Sequence, residues 1–252
     1  MGNFPWRPRV ALPVTALALL LVIGSAVVTL TNAQEPPPVP GTAQSPIDIE
    51  TDEVVEDNLP KLRFDYPRKI TLELVNTGSP DEFATVKANV DPGESKLQVG
   101  GNWYNLLQFH WHTPGEHELD GQGFPMEMHL VHQRVGASGS EGLLVVGVWM
   151  EVDERHSELD KIFADLPEAG QAVLVKDFKL RRLLPEDRES FRYQGSLTTP
   201  PFTEGVQWIV LEEPLEVSEE QVEALMALFP DGNSREVQPV NARTVLTDLD
   251  VD

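Results

Sequence analysis

Apolar and polar residues alternate along much of the chain, as in Ile70-Thr71-Leu72-Glu73-Leu74. A period of two puts one side of an extended segment in a core and the other toward solvent, the signature of a half-buried strand. On this pattern the sequence predicts strands over Ile70 to Leu74, Ala84 to Ala88, Ser95 to Val99, Asn105 to His112, Met126 to His132 and Gly142 to Val152, punctuated by Gly, Pro, Asn and Asp. Ile209 to Leu211 reads as a further buried strand. Two stretches break the period. Ser157 opens a predicted helix over Glu158 to Leu166, and Ser218, with Gln221 three residues on as a capping box, opens one over Glu219 to Phe229 that Pro230 stops. The expected fold class is mostly β (α+β): a single domain on one large, mainly antiparallel sheet with a few peripheral helices.

The first segment has a different character. Arg7 and Arg9 precede an uncharged apolar run from Val10 to Leu30, followed by Thr31-Asn32-Ala33. Residues 1–33 therefore read as an export signal, either cleaved after Ala33 or kept as a membrane anchor, with the arginines staying inside. Either outcome makes the domain exported, periplasmic or extracellular. Residues 34–42, rich in proline, read as a linker that can join neither sheet nor helix. The folded domain is expected over residues 43–247, with an acidic tail over 248–252.

A length of 252 residues suits one large domain with a full core. Acidic residues outnumber basic ones 41 to 19, and the net charge of −22 becomes −24 if the signal leaves with its two arginines. Such a field repels phosphate backbones, so nucleic acid is excluded as a natural partner. The chain has no cysteine. It can form neither disulfides nor thiolate metal sites, and a metal would have to be held by His, Asp or Glu.

Five of the six histidines fall between positions 110 and 132. On a strand His110 and His112 project from one face, about 7 Å apart along the backbone. The strand that returns after the Gly- and Pro-rich loop can offer His129. Three neutral imidazoles with no fourth protein ligand describe a catalytic zinc site with one position open to water. Gln108 and Glu127 stand two residues before His110 and His129, on the same strand faces, where each can accept a hydrogen bond from its histidine's distal N–H. His117 and His132 read as members of buried polar networks and His156 as a surface residue.

Five ordered motifs resemble the alpha-class carbonic anhydrases: Gln44-Ser45-Pro46-Ile47-Asp48-Ile49, Gln108-Phe109-His110-Trp111-His112, Glu116-His117, Glu127-Met128-His129-Leu130-Val131-His132 and Gly195-Ser196-Leu197-Thr198-Thr199-Pro200-Pro201. The resemblance spans about Gln44 to Arg243. It implies a twisted sheet with Zn2+ at the bottom of a conical cleft and reversible hydration of CO2 to bicarbonate and a proton. His110, His112 and His129 match the zinc ligands, and Gln108 and Glu127 match their hydrogen-bond partners. Thr198 matches the threonine that accepts a hydrogen bond from zinc-bound hydroxide and passes its own proton to Glu116, and Thr199 matches its neighbour, which helps to place bicarbonate. Val131, Val145, Leu197, Val206 and Trp208 match the apolar wall that holds CO2.

The chain departs from the family in two places. The position of the proton-shuttling histidine is Ser79, and serine carries no proton near neutral pH. The aromatic segment that usually precedes Gln44-Ser45-Pro46 is replaced by the proline linker. Hydration limited by proton release is therefore expected; the second possibility is that His117 or an acidic side chain substitutes as the shuttle, although the Glu116-His117 pair reads more as a buried network joined to Tyr193. The alternative reading on the same fold is a non-catalytic carbonic anhydrase-like binding domain.

Overall fold

A computed structural model describes residues 41–78, 83–140 and 142–249. The strand-forming pattern is realised as one long sheet. From one edge it runs through Ala172–Phe178, Ile70–Asn76, Val86–Asn89, Asn102–His112, Met126–Arg134, Leu143–Val152, Glu204–Val217, Ser190–Ser196, Leu246–Thr247 and Val55–Glu56. Lys96–Val99 pairs with the outer part of Asn102–His112, and Arg63–Asp65 pairs with Lys96–Val99. Most neighbours are antiparallel, as expected, but the central pair Leu143–Val152 and Glu204–Val217 is parallel, as is Leu246–Thr247 with Val55–Glu56. Three further short strands, Asp48–Ile49, Glu118–Leu119 and Gln122–Gly123, form a separate small sheet.

The two faces of the long sheet bury different residues. One face carries Leu72, Leu74, Phe109, Trp111, Met128, Leu130, Val146 and Leu211 against the helices. The other carries Val131, Val145, Val206, Trp208 and Val210 against Ile47, Ile49 and Val245. One irregularity sets which histidines lie on which face. Val131 pairs with Gln108 and His132 with Leu106, so Leu107 is skipped. This bulge flips parity within the Asn102–His112 strand: Tyr104 and Leu106 before it join the same core as Phe109 and Trp111 after it. Gln108, His110 and His112 are thereby left together on the opposite face.

The helices are shorter than predicted. The first is a single turn, Asp160–Phe163, with Leu159 and not Ser157 at its N-cap position. The carboxylate of Glu158 accepts from Lys179 N at 2.8 Å and Lys161 Nζ at 2.7 Å, which ties the start of this segment to a neighbouring loop. The second helix is Glu219–Met226; Gln221 Oε1 accepts from Ser218 N at 3.1 Å, and a last irregular turn reaches Phe229 before Pro230. Ala172–Phe178 and Ser190–Ser196 are strands without a matching sequence prediction. The first is an edge with exposed Leu174, and the second carries Arg192 and Gln194, so neither shows a clean apolar run.

Asp248, expected to begin an acidic tail, belongs to the fold: it accepts from Ser190 N at 2.8 Å and pairs with Arg192 at 3.1 Å. The proposed signal and residues 34–40 of the linker lie outside the described residues, as does Ser79. Among the described residues no helix is long and apolar enough to cross a membrane.

Candidate metal centre

Adjacent antiparallel strands bring the histidines together. His129 stands directly opposite His110, and Glu127 opposite His112. Ring centroids of the three histidines are 5.0, 5.3 and 4.7 Å apart, and one nitrogen from each lies within 4.8 Å of the others. His112 and His129 are buried, while His110 keeps partial exposure.

Hydrogen bonds fix how each ring points. His110 Nδ1 donates to Gln108 Oε1 at 2.8 Å, His112 Nδ1 to the Asn233 carbonyl at 2.9 Å, and His129 Nε2 to Glu127 Oε1 at 2.8 Å. The remaining nitrogens are Nε2 of His110, Nε2 of His112 and Nδ1 of His129, deprotonated in these tautomers and able to act as ligands. His112 Nε2 is buried with no hydrogen-bond partner, a costly state for a polar atom unless something binds it. Three neutral imidazole nitrogens, each held from behind by an acceptor, fit a divalent zinc ion well. Burial and the neighbouring histidines hold His110 well below the usual imidazole range, and burial lowers His112. His129 moves the other way: burial opposes its charge, but the Glu127 carboxylate outweighs burial and raises it.

The third orienting group was not legible in the sequence. Asn233 lies 121 residues beyond His112 and is pinned by its own side chain, which accepts from Thr113 N at 2.8 Å and donates to the carbonyls of Ala84 and Trp111. An Asn in a Gly-Asn-Ser loop gives no local signal of such a role.

Glu127 is a hub. Its Oε2 accepts from the backbone N–H groups of Glu116 and His117 at 2.8 and 2.7 Å, and its Oε1 also accepts from His117 Nδ1 at 2.7 Å. Burial would raise its pKa, but His117 and His129 hold it well below the usual carboxylate range. His117 Nε2 then accepts from the Tyr193 hydroxyl at 2.7 Å, and that hydroxyl is also hydrogen-bonded to Ser45 Oγ at 2.8 Å. Ser45 Oγ in turn accepts from Ser196 N at 3.1 Å. The second histidine thus forms a buried chain from a ligand to the domain's first residues. His132 lies on the other face, with Nε2 bonded to Tyr66 Oη at 2.8 Å, and partly exposed His156 bonds to the Arg182 carbonyl.

Thr198 and Thr199 sit on a tight loop closed by Leu197 N to Thr203 O and Phe202 N to Thr199 O, both at 2.9 Å. Phe202 at its tip has φ +58°, a left-handed conformation costly for a non-glycine residue. The Arg235 guanidinium stacks 3.8 Å over its ring. Thr198 is buried, but the expected hydrogen bond from Thr198 to Glu116 is not formed. Glu116 Oε1 accepts from Arg235 N at 2.9 Å; its Oε2 has no hydrogen-bond partner and lies 3.7 Å from His129 Nδ1. Beside the histidines Val131, Val145 and Trp208 are cross-strand neighbours in one row, with Val206 in the same cluster and half-buried Leu197 packed on it.

A twisted sheet with a triad of histidines on one face, backed by a Gln, a Glu and a backbone carbonyl, defines a zinc-site β protein. Residues 32–249 match the family model for eukaryotic-type carbonic anhydrase, and the chain belongs to that family. It is 36% identical over 208 residues to the carbonic anhydrase of Neisseria gonorrhoeae, covering 82% of this chain and 77% of that protein. The carbonic anhydrase of Klebsiella pneumoniae is likewise 36% identical over 208 residues, covering 82% and 80%. Among solved structures, the Thermovibrio ammonificans alpha-carbonic anhydrase superposes with TM-score 0.75 at 37% identity, covering 82% of this chain and 87% of that one. The Photobacterium profundum alpha-carbonic anhydrase does so with TM-score 0.73 at 40% identity, covering 82% and 89%.

Proposed function

We propose that this chain catalyses the reversible hydration of CO2 to bicarbonate and a proton. The observation that carries the reading is the convergence of three imidazole nitrogens, one of them buried and unbonded, beside an apolar row. Zinc held by His110, His112 and His129 would supply a Lewis acid that lowers the pKa of its bound water to about 7, a general property of carbonic anhydrases. Gln108, the Asn233 carbonyl and Glu127 hold the three rings in ligand tautomers, so little reorganisation is needed when the metal enters. Val131, Val145, Leu197, Val206 and Trp208 offer an apolar surface to CO2, which has almost nothing to hydrogen-bond. Thr198 and Glu116 are assigned the gate: in the working site Glu116 Oε2 accepts a hydrogen bond from the Thr198 hydroxyl, leaving the threonine oxygen to accept one and orient the oxygen that attacks CO2. Thr199 is assigned to bicarbonate.

Metal analysis with stopped-flow CO2 hydration tests this reading. Wild type is expected to hold one zinc and to be active, and His112→Ala to lose both; a zinc-free wild type or an active His112→Ala protein overturns it. With Ser79 at the usual shuttle position, turnover is expected to rise with the concentration of a small imidazole-type buffer, and fast buffer-independent turnover would contradict the proposed exit defect. Export rests on Arg7, Arg9 and the apolar run that follows them. Cell fractionation and the N-terminal sequence of the mature protein decide between cleavage and anchoring.

A further inference from the structure

Lys87 stands out in the row of residues that crosses the sheet through the metal centre. It sits on Val86–Asn89, in direct register with His110 of the neighbouring antiparallel strand, as His110 is with His129. Directly opposed residues of an antiparallel pair share a face, with Cβ atoms about 5 Å apart. Lys87 therefore projects on the same side as the three histidines. It is partly exposed and makes no ion pair among the described residues.

The setting makes this position unusual. The chain carries a net charge of −22, a field that disfavours any anion approaching from a distance. Of the two carbon substrates, CO2 is neutral and bicarbonate is an anion. An ammonium on the face of the three histidines acts over short range, where screening by salt is weakest, and distinguishes the two.

We infer that Lys87 is a positioning residue for anions at the metal centre, holding bicarbonate and competing inorganic anions against the repulsion of the rest of the molecule. The inference rests on the zinc-site reading above and extends it to a residue outside the ligand set. In an effective dielectric between protein and water, one charge at a side chain's reach changes anion affinity about fivefold.

The test uses zinc-loaded full-length protein and calorimetric titration with thiocyanate at fixed, mildly acidic pH and low salt. Wild type, Lys87→Arg, Lys87→Gln and Lys87→Glu are compared, each checked for zinc content and melting temperature. The expected order follows charge: Arg binds as wild type, Gln about fivefold more weakly and Glu more weakly again, with the differences shrinking as salt rises. Equal affinities across the four proteins, or an order that does not follow charge, overturns the assignment of Lys87. Absence of zinc from wild type overturns instead the reading on which it rests, so the two failures are told apart.

Discussion

At the scale of single residues, the polar atoms of the site are set by partners held on other elements. His129 illustrates the balance: burial alone would lower its pKa, yet a carboxylate 2.8 Å away raises it. His132, three residues on, shows burial without such a partner. Its pKa is pushed down to about 3, chiefly by burial. The folded pKa lies below the ordinary 6.5, so the unfolded chain binds the extra proton between those values. Stability is then fully present above about pH 6.5 and is lost as pH falls toward about 3. Replacing His132 with Gln removes the titration, so the decline of the urea midpoint between about pH 6.5 and 4 is expected to be shallower in the variant. A decline as steep as wild type would mean that other groups carry the acid sensitivity. Gln108 and Glu127 were legible because each sits two residues before its histidine. Asn233 was not, since a carbonyl 121 residues away has no sequence signature.

At the scale of elements, strand pairing decides what alternation leaves open. The period of two puts His110 and His112 on one face, but the bulge at Leu107 determines which core that face looks away from. Pairing also forces close approaches. At Gly195, opposite Val206, a Cβ would collide with Ser45 Oγ and lie 2.8 Å from Tyr193 Cε2 and 2.9 Å from Trp208 Cδ1. Gly195→Ala is therefore expected to destabilise the fold by about 1–3 kcal/mol, and to disturb the Ser45–Tyr193–His117 chain behind the ligand. Chemical denaturation measures the first effect, and zinc retention against a chelator the second. A variant of unchanged stability would show that the side chains of Ser45, Tyr193 and Trp208 give way freely. The helices were the least legible elements. Ser218 and Gln221 were visible as the capping box of the second, but the N-cap position of the first falls on Leu159 and not Ser157, and Glu158 bonds to Lys179 and Lys161, leaving one turn where nine helical residues were expected.

At the scale of the whole molecule, the chain's net charge of −22 falls mostly on a domain whose two cores lie on opposite faces of one sheet. Self-repulsion of like charges favours the expanded state and is screened by salt. The melting temperature of the domain is expected to rise between low and physiological ionic strength, and thermal scans at graded sodium chloride check it. No rise would mean that local ion pairs such as Arg192–Asp248, which salt weakens, offset the global term.

The sequence by itself determined the strand-rich class, the family, the candidate triad with two of its three orienting partners and the apolar residues beside it. The class, the triad and its two partners follow from local periodicity and from residues that need only a strand's alternation to meet; the family and the apolar residues come from the resemblance of five ordered motifs. Only the tertiary structure decided the parallel central pair, the parity flip at Leu107, the Asn233 carbonyl behind His112, the turned carboxylate of Glu116 and the place of Lys87 opposite His110. Each depends on which strands and loops become neighbours. That choice is made by long-range packing and register, and no local pattern of apolar and polar residues encodes it.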